Sequence, residues 1–116
     1  MDYYQGFFTL KEGVSDVEFA DHFAAYMNRL KDEGAIEGWR LMRRKLGLGP
    51  EQLHEFQFLV ETDGLAQLDR AFRVVSTRAG EWEPLHHCVN GLVDEVVFAL
   101  YRDFPDPHRE RGEERF

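Results

Sequence analysis

The sequence predicts an α+β fold of the split βαβ type. Apolar residues recur at every second position in Phe56, Phe58 and Val60, which is the period of a half-buried strand. Two stretches, Val17 to Leu30 and Leu65 to Val75, instead carry apolar residues at helical three-and-four spacing. The order of these segments is strand, helix, strand, strand, helix, strand, which makes an antiparallel four-stranded sheet with both helices on one face. Right-handed crossovers then put the first and third strands in the middle.

The first strand, Tyr3 to Leu10, has aromatic or β-compatible residues in both alternating rows, as expected of a strand covered on both faces. Lys11-Glu12-Gly13 turns the chain. Ser15 with Glu18 three residues later is a capping-box signature opening the first helix, whose stripe is Val17, Ala20, Phe23, Ala24, Met27 and Leu30, with Gly34 as its stop. Ile36 to Leu46 reads as the second strand. Its Arg43-Arg44-Lys45 run fits an exposed edge protected by charge, and no glycine-rich phosphate loop accompanies it. After Gly47, Gly49 and Pro50 comes the central strand at His54 to Thr62. Asp63 is placed to cap the second helix, with Leu65, Leu68, Phe72 and Val75 buried and an end near Gly80. Trp82 to Leu92, opened by Pro84, predicts an extra short helix before the last strand, Glu95 to Phe104. Residues 1–105 form a single domain on this reading, and the charged residues 106–116 a tail without apolar periodicity.

A chain of 116 residues with 43% hydrophobic residues and 16 aromatic ones, the 14% share, can bury one core without disulfides or metal. Fourteen Lys and Arg against 22 Asp and Glu give a net charge of -8, which repels nucleic acid. No apolar run reaches the roughly 20 residues of a membrane span. The single Cys88 and a start without signal-peptide character point to the cytoplasm.

With two helices on one face, the opposite face of the sheet is left bare. The alternation assigns to it Tyr3, Gln5, Phe7, Trp39, Leu41, Leu59, Val97, Ala99 and Tyr101, too apolar for water, so a homodimer through the sheet faces is expected. The element order, the extra helix and the closing Leu100-Tyr101-Arg102-Asp103-Phe104-Pro105 resemble the dimeric α/β-barrel superfamily, which includes antibiotic-biosynthesis monooxygenase-like, EthD-like and stress-responsive barrel proteins. The resemblance covers roughly residues 1 to 105. It implies a ferredoxin-like βαββαβ domain whose sheet face is buried in a dimeric barrel, often around a ligand cavity.

The chemistry-bearing residues leave two readings. One is a barrel that binds a small organic ligand in a cavity on the sheet face. The other is a cofactor-independent monooxygenase or isomerase acting on a planar or carbonyl-bearing substrate. Gln5, Phe7, Trp39, Gln57 and Tyr101 are the candidate ligand-binding residues, and His86 is the candidate general base. His86 and Asn90 share a helix face at i and i+4 while His87 points about 100 degrees away, so the adjacent pair makes no chelate. No metal site or cofactor is expected. An active site on this reading lies between the sheet and the C-terminal region of the helices, with His86 reaching it and Gln57 or Gln5 at its floor. His54, at the start of the central strand, is a candidate for the barrel rim.

Overall fold

The computed structural model describes residues 1–76 and 90–105. Strand β1 (Asp2–Leu10) leads through Gly13 to helix α1 (Asp16–Asp32), edge strand β2 (Gly38–Arg43), a single 3₁₀ turn (Glu51–Leu53), strand β3 (Phe56–Thr62), helix α2 (Leu65–Ser76) and strand β4 (Val93–Arg102). The sheet order is β2-β3-β1-β4, all pairs antiparallel, so the two central strands are those the sequence places there. The fold is ferredoxin-like.

Both ends of α1 follow from local chemistry. The Ser15 hydroxyl accepts from the Glu18 amide at 3.3 Å, and at the far end Ala35 N donates to Leu30 O while Gly34 N donates to Lys31 O. Gly34 sits at φ +74, the left-handed position that this pair of bonds requires and that a side chain resists. The buried face of α1 is Phe19, Phe23, Tyr26, Met27 and Leu30; Val17, expected in that stripe, is exposed. Helix α2 is capped differently from expectation. Its side-chain contact is made by Gln67, whose Oε1 accepts from Asp63 N at 2.7 Å, while Nε2 donates to Gly34 O at 3.1 Å and Glu37 Oε1 at 3.0 Å. One buried amide therefore ties the start of α2 to the α1–β2 connection.

The core lies between sheet and helices. Phe8 stacks on Phe56 at 5.6 Å and meets Phe19 at 5.4 Å, and Phe23, Met27, Ile36 and Val60 complete the layer. Gly6 faces the same side, and a Cβ there would fall 2.2 Å from the Phe58 ring. Only glycine lets that ring lie flat across β1.

The register corrects one assignment. Trp39 pairs with Val60 and Leu41 with Phe58, so both face the helices, and it is Arg40 and Met42 that join the open face. The Trp39 ring meets Phe23 edge-on at 5.6 Å, and its Nε1 donates to Asn28 Oδ1 on α1 at 2.9 Å. Alternation separates the two rows of a strand, but only pairing says which row is inside. Strand β4 starts at Val93, two residues before expectation, and carries a bulge: Phe7 pairs with Val97 but Thr9 with Asp94, with Glu95 at φ +48. The extra residue brings Val93 and Val96, three apart, to the same helix-side face as Phe98.

The expected extra helix over Trp82–Leu92 lies mostly outside the described residues, as do the end of the second helix near Gly80 and the tail 106–116.

Candidate functional site

Between the sheet and the helices is a cavity of about 260 Å³, close to the lower end of small-ligand pockets. Its walls are aromatic and aliphatic: Tyr4, Phe58 and Phe98 from the sheet, Phe23, Tyr26 and Met27 from α1, Phe72 and Val75 from α2. Tyr4 organises the sheet side. It stacks on Phe98 at 5.6 Å with planes 10° apart and takes Phe72 edge-on at 5.2 Å. Asn90 also lines the cavity. Among the described residues, the polar side chains on these walls are the two phenols and one amide.

Burial pushes the Tyr4 phenol upward and Tyr26 up to about 12. The charged phenolate is what an apolar wall penalises, so both hydroxyls stay protonated near pH 7.

The predicted site residues divide between the two faces of the sheet. Gln5, Phe7, Gln57 and Tyr101 lie together on the open face, where Gln57 Nε2 donates to Gln5 Oε1 at 2.9 Å. They are thus not the floor of the helix-side cavity, which the opposite rows of the same strands supply. Trp39 borders the core instead. His86, with its neighbours His87 and Cys88, falls outside the described residues. Among the described residues no group of three or more His, Cys, Asp or Glu could hold a metal ion. No helix among them is long and apolar enough to cross a membrane.

On the open face, the Tyr3 hydroxyl donates to Asp103 Oδ1 at 2.8 Å, and that carboxylate is the main cause of a raised Tyr3 pKa. His54 stands at the far end, its Nδ1 3.8 Å from Glu95 Oε2. The contact depends on the β4 bulge, which no sequence period announces. Tyr4 and Tyr26 went unassigned as cavity residues because their sequence signal is the same as that of any core aromatic.

The match that decides the family runs over residues 1–116. The chain belongs to DUF6614, a family of unknown function. No curated protein matches this DUF6614 chain significantly. Among solved structures it is similar to an Arabidopsis thaliana protein, with a TM-score of 0.73 at 11% identity over 91% of this chain and 98% of that one. It is similar to SnoaB, a cofactor-independent oxygenase from Streptomyces nogalater, with a TM-score of 0.66 at 12% identity over 93% and 97% of the two chains. A dimeric ferredoxin-like protein of unknown function from Jannaschia sp. gives 0.65 at 11% identity over 88% and 98%. At such identities the likeness is one of fold, and it agrees with the barrel resemblance read from the sequence.

Proposed function

We propose that this DUF6614 protein is a homodimer that holds a small, planar, mostly apolar organic molecule in the cavity between its sheet and helices. The observation that carries the reading is the cavity itself: stacked aromatic walls select a flat body, and the Tyr4 phenol offers it a polar contact. Pairing through the open faces is supported by Tyr101, 63% exposed, and by Val97 beside Phe7, an apolar surface that one chain leaves to water. A planar phenol such as 1-naphthol should raise the melting temperature of the wild-type protein. Ala71→Phe, which fills the cavity from α2, should abolish that rise. An equal rise in both proteins would place binding elsewhere and sink the proposal.

A second reading makes the same cavity the site of a cofactor-independent oxygenation or isomerisation of a planar or carbonyl-bearing substrate. It is supported by the likeness of fold to SnoaB, a cofactor-independent oxygenase, and by the Tyr4 phenol in the apolar wall, a donor for a developing oxyanion. His86 is the base this reading would use. His86→Ala should then lower turnover, followed by oxygen uptake or product formation, while His87→Ala leaves it nearly unchanged; equal losses in both would reject the assignment.

A further inference from the structure

Two adjacent arginines close β2, and the fold treats them differently. Arg43 is fully paired: Nη1 meets Asp16 Oδ2 at 2.8 Å, Nε and Nη2 meet Glu55 Oε1 at 2.8 and 2.7 Å, and the guanidinium lies over the Phe56 ring. Arg44 is half-buried and has no such carboxylate. Its Nη2 donates to three backbone carbonyls, Pro50 O at 2.7 Å and Leu53 O and His54 O at 3.3 Å, so the segment from residue 50 to 54 is wrapped around one nitrogen. Gly49, at φ +153, allows the wrap, because a Cβ there would stand 3.1 Å from Arg44 Nε. Among the described residues no protein acceptor meets Arg44 Nε or Nη1. In a chain with 22 acidic residues, a fixed cation that meets only backbone carbonyls still has the charge and the N–H groups to receive an anion.

That cation borders a hollow of about 290 Å³ at the end of the open face, lined also by Phe7, Met42, Leu48, Leu53 and His54. The other charged groups there are already committed: Glu55 to Arg43, and the His54 Nδ1 side to Glu95. What remains is donors beside an apolar floor. We infer that this hollow binds a small organic monocarboxylate, its carboxylate on Arg44 and His54 and its apolar body on Phe7 and Met42. The site is separate from the aromatic cavity, which opens on the other face of the sheet. All its residues come from one chain; Phe7 and Met42 lie on the open face that the proposed homodimer pairs, so in that dimer the partner borders the hollow.

Phenylacetate is the probe, titrated into the full-length protein and followed by amide and methyl NMR shifts. Saturable shifts should appear at Met42, Leu48 and His54, not at Tyr4 or Phe98, and neutral phenylacetamide should bind about tenfold more weakly or worse. Met42→Glu sets a carboxylate in the hollow and leaves the Arg44 wrap intact, so the fold should persist and phenylacetate binding should vanish. His54→Gln should weaken binding several-fold. No saturable shift at millimolar probe, shifts confined to the Tyr4 and Phe98 side, or equal binding of the amide would each overturn the inference. Failure here leaves the aromatic-cavity reading intact, since that is tested with a neutral phenol and at Ala71.

Discussion

Gly6 shows how tightly single residues set this fold. An alanine there would place its Cβ 2.2 Å from Phe58 Cε1 and 2.6 Å from Cζ, so the ring must swing towards the cavity it lines. Overpacking of that kind costs about 1 to 3 kcal/mol. Gly6→Ala is therefore expected to lower the melting temperature by at least about 4 °C in calorimetry, and also to weaken any ligand held against Phe58. Tyr26 gives a second test at this scale. Its pKa, about 12 in the fold against 10.0 unperturbed, is raised by burial, so the folded state disfavours the phenolate. The resulting stability is whole below pH 10 and is lost as pH rises from 10 through about 12, roughly 2 to 3 kcal/mol in all. Denaturant titrations at pH 9 and pH 12 should show that loss in the wild type and a smaller one in Tyr26→Phe. Equal slopes with pH would mean that Tyr26 ionises as readily folded as unfolded.

Elements are held by a few polar ties at the margins of the apolar layer. At one end of the sheet Asp2, 2% exposed, takes Arg102 in a two-point pair, Nε to Oδ1 at 2.5 Å and Nη2 to Oδ2 at 2.9 Å, across the β1–β4 ladder. Opposite charges on paired residues fix the register of β4 where its side chains are otherwise exposed. On the helix layer the equivalent tie is Gln67. Gln67→Leu keeps the volume but strips partners from Asp63 N, Gly34 O and Glu37, at a cost of about 2 kcal/mol. Thermal unfolding should register a fall on the order of 8 °C, with hydrogen exchange quickened first at the start of α2. A change under about 2 °C would show that water replaces the amide without loss.

For the whole molecule the decisive feature is an edge strand apolar on both rows. Phe98 and Leu100 on the helix side and Val97 and Tyr101 on the open side are each about half exposed or more in the single chain. Such an edge invites pairing, and the proposed homodimer covers its open row. Tyr101→Glu would bury an unpaired charge, a penalty of roughly 3 kcal/mol or more. Light scattering at micromolar concentration is expected to find a dimer for the wild type and a monomer for this variant. A wild-type monomer, or a dimer in both, would move the interface off this face.

Much of this was written in residue order. Ser15 with Glu18, Gly34, and the alternation of Phe56, Phe58 and Val60 determine where α1 begins and ends and which strand is central, because caps and periods act within a few residues. The place of Gln5 on the open row of its strand was legible too, though its hydrogen bond to Gln57 was not. What only tertiary structure decided depends on register. Trp39 faces the helices because it pairs with Val60, and Val93, Val96 and Phe98 share a face because a bulge at Glu95 shifts the alternation. The same holds for the cavity and for Arg44. A Tyr on an apolar stripe has one sequence signature whether it fills a core or borders a void, and an arginine in a basic run shows which carboxylates it meets only once the strands are paired. Sequence periodicity records which side chains share a face of one element; it does not record the distances between elements, and those distances make the aromatic cavity and the hollow beside Arg44.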